Sequence, residues 1–351
     1  MSHPLYDWQL DAWRQLQALR QRLPHAILLH GPQGIGKTAF AEHLAQSLLC
    51  ENPGADGHAC GQCASCGWFV QYSHPDYRRV RPELLDEEDG AAAEAEGETA
   101  ASNTGNAGKT GKASKAPSKE IVINQIRALA NFMNISTHRQ GRRVIVLYPA
   151  EALNVPAANA LLKSLEEPNP NTVFILASHS LDRLLPTILS RCHKFALGMP
   201  DRAQALAWLQ AQGVKEADAW LAQQGGAPLA ALAMAQSEAR GELDDFLRQL
   251  ARPGADISLK IADKMQKMEM PVTVAWLQRW LYDIFSYKQS GRIRYYPRYE
   301  KEIRALAARA DNGALLRLIK NTNERQAIAS HPLSAKLFLE DMLLEYAALF
   351  D

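Results

Sequence analysis

The fourteen residues HAILLHGPQGIGKT, at positions 25–38, join a short apolar run to a glycine-rich turn and then to a helical pattern. An apolar run of this length, bounded by turn residues, is typical of a buried strand. After the turn, Phe40, Leu44 and Leu48 recur at four-residue spacing, which predicts a helix with one apolar face. A strand, a tight turn and a helix in this order are the unit from which parallel α/β sheets are built.

The turn fits the pattern G-x-x-x-x-G-K-[ST] at every fixed position, between a strand and a helix as that pattern requires. Glycines let successive backbone N–H groups form a concave anion site, and a helix N-terminus adds a positive dipole. The candidate nucleotide-binding residues for ATP or ADP are Gly31, Gly34, Gly36, Lys37 and Thr38. In this interpretation Lys37 reaches the phosphates and Thr38 binds Mg²⁺. The alternative is a glycine-rich turn that binds nothing.

Further along the chain, strand and helix patterns alternate up to about Pro200 and then only helical patterns remain. The runs RRVIVLY, TVFILAS and HKFAL predict strands, and the patterns around Ile126 and Leu161 predict helices between them. We therefore expect a parallel sheet flanked by helices, then a small helical lid domain and an all-helical collar domain. The predicted domains are residues 1–199, 200–240 and 241–351.

Composition narrows the class of protein. With 351 residues, 47% hydrophobic and 22% charged, the chain is long enough for two or three globular domains. With a net charge of +1, the molecule as a whole has only a weak electrostatic attraction for nucleic acid, so any such contact would come from a local patch or a partner. Neither a signal peptide nor a membrane-spanning run is visible, which favours a cytoplasmic protein without a membrane partner. Residues 83–119 carry an acidic half and then a lysine half without aromatics, which predicts a disordered insertion.

Four of the five cysteines cluster as C-x₉-C-x₂-C-x₂-C, at Cys50, Cys60, Cys63 and Cys66. Four thiolates satisfy tetrahedral Zn²⁺ and leave no position for a substrate, so we predict a structural zinc module at residues 50–66. An iron–sulfur cluster is a rival, but the ferredoxin-type run has its fourth cysteine where this chain has Val70. Unligated thiols are the remaining alternative.

Hydrolysis of ATP needs acids after a later strand as well as the glycine loop. At that point the chain has Tyr148 and Pro149, and Glu151 lies about one helical turn out of place. We interpret Glu151 as a solvated or capping residue, not a base. The sequence therefore predicts weak or no ATP hydrolysis by the chain alone.

Two further segments have both a functional and an ordinary interpretation. Ser190, Arg191 and Cys192 follow a short helix, and on their own they fit a surface arginine beside a buried cysteine. Residues 292–299, RIRYYPRY, alternate arginine with aromatic side chains. Such a run stacks on single-stranded nucleic acid in some proteins, but we favour a helix connection whose tyrosines pack on a helical bundle. Trp276 and Trp280 are likewise expected in that bundle's core.

Taken together, these motifs resemble the AAA+ clamp-loader family. The similarity rests on GPQGIGKT, on the cysteine cluster after its helix, on HPDY, on NALLKSLEEP at Asn159–Pro168 and on LLPTILSRC at Leu184–Cys192. These motifs cover residues 25–192 apart from the insertion, which is outside the family pattern. The C-terminal 150 residues match in length and helical character only.

The resemblance implies a non-catalytic subunit of the bacterial DNA polymerase III clamp loader. Its partners would be ATPase subunits of gamma or tau type, a delta-type subunit and, through the complex, the sliding clamp and primed DNA. Arg191 matches the family's arginine finger, which acts in trans on a neighbour's γ-phosphate. Leu229 falls where ATPase-active relatives have a nucleotide-sensing arginine. The competing hypotheses are an autonomous P-loop ATPase acting on nucleic acid and a zinc-dependent DNA-binding module.

Overall fold

The computed structural model describes residues 5–86, 117–135, 137–138, 141–330 and 334–350. The chain divides into two compact units, Met1–Met199 and Pro200–Asp351. Most of the predicted insertion lies outside the described residues. The predicted division of the second unit at residue 240 stays a prediction, and one apolar core contains Leu209 and Leu247 from either side of it.

The first unit contains a five-stranded sheet in the order β2-β3-β4-β1-β5, in which every neighbouring pair is parallel. The strands are β1 Ala26–His30, β2 Tyr77–Val80, β3 Arg143–Leu147, β4 Thr172–Ser178 and β5 His193–Ala196. Side chains of β3 and β4 are buried along their whole length, because helices cover both faces. Parallel strands all end at one edge, so the loops after β1, β3 and β4 lie together there.

The first unit also contains helices, some of which cover the faces of this sheet. They are α1 Leu10–Ala18, α2 Lys37–Leu49, α3 Ala64–Val70, α4 Ile123–Asn134, α5 Val155–Glu166 and α6 Pro186–Leu189. On one face Leu161 of α5, Ile188 of α6 and Phe174 of β4 belong to one apolar cluster. On α2, Phe40 and Leu44 are fully buried, as their spacing predicts. The predicted α/β fold with a parallel sheet is confirmed.

The second unit is helical throughout its described residues. Its helices are α7 Arg202–Ala211, α8 Ala217–Gln223, α9 Pro228–Gln236, α10 Ala239–Leu250, α11 Ala255–Met265, α12 Met270–Ser290, α13 Glu300–Arg309, α14 Asn312–Ile328 and α15 Ala335–Ala348. Trp276 and Trp280 of α12 are buried in its core, where Trp280 donates a hydrogen bond to the Tyr346 hydroxyl at 2.9 Å. None of the described helices is both long and apolar enough to cross a membrane.

Helix ends follow the local sequence in some places and tertiary contacts in others. Asn154 caps α5 by accepting a hydrogen bond from the Ala157 N–H at 3.0 Å, and asparagine is one of the residues preferred at this position. Residues 7–22 do not form one continuous helix but a 3₁₀ turn at Asp7–Gln9, then α1, then a second 3₁₀ turn at Arg20–Arg22. Side chains of the first turn bind the glycine loop, as described below.

Candidate functional site: the glycine loop and the cysteine cluster

The glycine loop leaves β1 and enters α2 in a conformation that glycine alone adopts readily. Gly34 and Gly36 have positive φ angles of 78° and 89°. At Gly31 a Cβ atom would lie 2.2 Å from the Leu197 carbonyl oxygen, so a side chain has no room there. Because these positions have no side chains, a ligand can approach the backbone of the loop. The N–H groups of the loop and of the first turn of α2, which contains Thr38, suit a polyphosphate.

Lys37 is the first residue of α2 and is only 2% exposed. Its ammonium group donates hydrogen bonds to the carbonyl oxygens of Gly31 at 2.8 Å and Pro32 at 2.5 Å. Burial lowers the pKa of Lys37 to about 8, and the negative charge of Glu151 partly opposes this shift. The lysine is thus held at the loop, where its positive charge would interact with a bound phosphate under less screening by water than at an exposed position.

Three residues that sequence reasoning missed fix this loop from behind. The Gln9 amide donates to the carbonyl oxygens of Ile35 and Gly36, both at 3.0 Å, and the Trp8 indole N–H donates to Ile35 at 3.0 Å. The Tyr6 ring stacks on Trp8, with centroids 4.7 Å apart. The sequence YDWQ at residues 6–9 contains the two aromatic rings and the amide, but local periodicity does not indicate that they contact the glycine loop.

Tyr148 and Pro149 follow β3 at the point where an ATPase would have acids. Tyr148 is buried, and burial followed by the Glu42 charge raises its pKa to about 12, so its hydroxyl stays protonated near neutral pH. The next acid, Glu151, lies in a 3₁₀ turn at Ala150–Ala152. Its Oε1 accepts a hydrogen bond at 3.0 Å from the N–H of His179, the residue that follows β4. The expectation of a solvated side chain is incorrect for Glu151 Oε2, which is buried.

The four predicted thiol ligands come together. Their Sγ atoms all lie within 4.8 Å of one another, and Cys50 and Cys63 have their sulfurs 3.9 Å apart. Sulfurs at the corners of a tetrahedron around zinc are about 3.8 Å apart, as follows from a Zn–S distance of about 2.3 Å. This cluster could therefore hold a metal ion, and four soft donors with no open position suit a structural site.

Backbone N–H groups point at the sulfurs and favour their thiolate forms. Cys60 N–H lies 3.2 Å from the Cys50 sulfur, and Cys63 N–H and Cys66 N–H lie 3.4 Å from the sulfurs three residues before them. Hydrogen bonds from Gln62 and then Cys63 lower the pKa of Cys60 to about 6, whereas burial raises the pKa of Cys66. Cys50 ends α2, and Cys63 caps α3.

Arg191 lies just after α6 with 32% of its side chain exposed. Its guanidinium forms an ion pair with Glu166, in which Nε donates to the carboxylate at 2.8 Å, and Nη1 donates to the Thr187 carbonyl oxygen at 2.9 Å. Cys192 beside it is buried, which raises the pKa of its thiol to about 11. The arginine is therefore accessible and already oriented by two neighbours, while the cysteine packs as a small apolar residue.

The other two candidates belong to the second unit. Leu229 lies on α9 with a half-buried side chain. In the run 292–299, Tyr296 is 3% exposed and donates to the Trp276 carbonyl oxygen at 3.2 Å. Tyr295 and Tyr299 also pack against the helical core, as the helix-connection interpretation expects.

The glycine-rich loop lies at the carboxyl edge of a parallel sheet with strand order β2-β3-β4-β1-β5, and a helical unit follows. This arrangement is that of a P-loop module of the AAA+ class. Family models described as "DNA polymerase III, delta subunit" and "DNA polymerase III, delta subunit, C terminal" match residues 9–201 and 220–347. The chain belongs to the delta' subunit family of DNA polymerase III.

Relatives named DNA polymerase III subunit delta' agree with this assignment. The Pseudomonas aeruginosa protein is 37% identical over 81% of this chain and 78% of its own length. The Haemophilus influenzae protein is 30% identical over 81% of this chain and 78% of its own. The Yersinia pestis protein is 30% identical over 97% of this chain and 95% of its own. The similarity thus extends well into the helical unit, where sequence motifs alone gave little.

Proposed function

We propose that this chain is a subunit of the DNA polymerase III clamp loader that stimulates ATP hydrolysis by a neighbouring subunit and hydrolyses little or none itself. Its partners are ATPase subunits of gamma or tau type and a delta-type subunit, and with them it helps to open the sliding clamp and load it onto primed DNA. The observation that carries the proposal is Arg191, a partly exposed arginine on a module that has Tyr148 and Pro149 in place of acids.

Arg191 performs its role by placing a fixed positive charge where charge develops on a γ-phosphate. Guanidinium groups bind phosphate oxygens with paired N–H donors, and arginine remains protonated at any working pH. In other phosphoryl-transfer systems an arginine supplied in trans raises the rate by about 10³ to 10⁵. A subunit without turnover of its own is then essential to the turnover of the complex.

The two candidate cofactors have separate roles in this proposal. The loop Gly31–Thr38 binds ATP or ADP passively, because the backbone cradle and Lys37 are intact while the strand after it lacks paired acids. Cys50, Cys60, Cys63 and Cys66 hold one structural Zn²⁺, which crosslinks the end of α2 to the start of α3. A lid at residues 200–240 and a collar at 241–351 complete the proposed domain arrangement.

The test is clamp- and DNA-stimulated ATP hydrolysis by a loader reconstituted from this chain and its ATPase-competent partners. Arg191→Ala is expected to leave assembly intact and to lower the rate at the site it faces by about 10³ or more, so that clamp loading falls further than total hydrolysis. Glu166→Gln is the matched control. It keeps an oxygen that can accept from the Arg191 Nε–H and removes only the charge from a surface ion pair worth less than about 1 kcal/mol, so rates stay within about fivefold of wild type.

Two results would overturn this function. Unchanged hydrolysis with Arg191→Ala in a correctly assembled loader would remove the role in trans. Steady-state turnover of about one ATP per second by the isolated chain would support the autonomous P-loop ATPase instead.

A further inference from the structure

Three charged or titratable side chains from separate segments of the chain lie at the carboxyl edge of the sheet. Lys37 follows β1, Glu151 follows β3 and His179 follows β4, and these three strands are neighbours in the sheet. Burial lowers the pKa of both Lys37 and His179, and the charge of Glu151 partly opposes the shift at each, which places the three groups in one electrostatic environment. Glu151 is thus an acid of the glycine-loop site, although it is not at the usual position.

The two carboxylate oxygens of Glu151 are in different situations. Oε1 accepts the hydrogen bond from the His179 N–H at 3.0 Å, which fixes the side chain at the end of β4. Oε2 is buried and has no hydrogen-bond partner within the described part of the chain. The nearby ammonium of Lys37 directs its own hydrogen bonds to Gly31 and Pro32. A buried anionic oxygen in this situation is unfavourable unless a cation or its hydration water reaches it.

We propose that Glu151 supplies the carboxylate for the Mg²⁺ of a nucleotide bound at the Gly31–Thr38 loop, in place of the acids absent at Tyr148 and Pro149. Mg²⁺ prefers hard oxygen ligands and retains several waters, so a carboxylate acts on it directly or through its hydration shell. The inference rests on the proposed nucleotide binding. Glu151 is a positioning residue for the metal–nucleotide complex and has no part in activating water.

This role has a signature that a structural role lacks. With Mg²⁺ present, the Glu151 carboxylate attracts the metal and tightens nucleotide binding. With Mg²⁺ removed, the same carboxylate repels the phosphates of the nucleotide and weakens binding. Neutralising Glu151 therefore has opposite effects in the two conditions, whereas damage to the loop would weaken binding in both.

The experiment measures the affinity of the full chain for a fluorescent ADP analogue, in Mg²⁺ and in EDTA. Glu151→Gln retains the shape and the acceptor for the His179 N–H but removes the charge. We expect this variant to bind about five- to tenfold more weakly in Mg²⁺ and equally or more tightly in EDTA. Glu167→Gln removes the same charge from an exposed position after α5, at the other edge of the sheet, and should match wild type in both conditions.

Each other result rejects the proposal. An equal loss in Mg²⁺ and EDTA would make Glu151 a structural residue, and no change in either would exclude it from the metal site. Lys37→Ala is the control that should bind no nucleotide. If wild type also binds none, the proposed nucleotide binding and this inference are both overturned. Thermal melting and metal content of Glu151→Gln establish that the variant is folded.

Discussion

The pKa of Lys37 depends on its surroundings in the folded protein and cannot be read from the sequence motif alone. The ammonium is almost fully buried and is held by two carbonyl oxygens of the loop, with Glu151 as its nearby opposite charge. Burial dominates, so its pKa falls to about 8. Phosphate oxygens placed beside the ammonium would raise this pKa back toward its ordinary value.

Nucleotide affinity should therefore depend on pH. The protonated lysine is the form that binds phosphate, and its pKa is about 8 in the free protein and higher in the complex. We expect a constant affinity below pH 8 and a fall that approaches about tenfold per pH unit above it. Titration of the fluorescent ADP analogue in Mg²⁺ between about pH 7 and 9.5 measures this. An affinity that does not change over this range would contradict the buried-lysine account.

Glu151→Gln gives an internal check on the same curve. Because the Glu151 charge raises the pKa of Lys37, its removal should move the fall in affinity to lower pH. An unchanged midpoint would show that Glu151 does not act on the lysine.

Helix α12 contains a buried carboxylate, Asp283, that no sequence motif indicates. Asp283, fully buried on this helix, accepts backbone N–H groups from the chain that follows it. Its Oδ1 binds Arg294 N–H at 2.8 Å, and its Oδ2 binds Tyr295 N–H at 3.0 Å and Tyr296 N–H at 2.7 Å. Burial raises the pKa of Asp283, and these backbone bonds oppose the shift. One carboxylate therefore fixes the path of the run RIRYYPRY on the bundle.

Replacing this carboxylate should destabilise the helical unit. Asp283→Ala leaves three backbone N–H groups of the connection without their acceptor, and we expect a loss of about 2–4 kcal/mol in the free energy of unfolding. Glu238→Ala, at an exposed position of the same unit, should change it by less than about 0.5 kcal/mol. Urea unfolding followed by tryptophan fluorescence measures both. Equal midpoints for the two variants would mean that the connection is held by its tyrosines alone.

The contrast between α2 and α12 shows what the sequence can predict. Strand β1, the loop and α2 follow from local patterns, because apolar periodicity and glycine spacing act over a few residues. The cysteine cluster is local as well. Other contacts join segments that are separated in sequence. They are those of Gln9 with the glycine loop, of Glu151 with His179 and of Asp283 with the backbone N–H of Tyr296. Local periodicity does not report such contacts, so they required the folded structure.

At the scale of the whole molecule, the two units have separate apolar cores and only the first contains the cysteine cluster. The cluster lies between the end of α2 and the start of α3, and the first residues of α2 belong to the glycine loop motif. One helix thus connects the cysteine cluster to the glycine loop. The core around Trp280 contains none of the four thiols.

Zinc removal should therefore act on one unit of the molecule. Protein purified without added zinc should contain about one Zn per chain, and Cys60→Ser should lose it. In hydrogen exchange, loss of the metal should raise exchange over residues 50–70 and α2, because both depend on the crosslink, and leave α12 unchanged. Cys192→Ser is the matched control, since Cys192 is buried in the same unit away from the cluster, and it should keep its zinc. Bound iron, absence of metal in wild type, or a uniform rise in exchange across both units would contradict a structural zinc confined to the first.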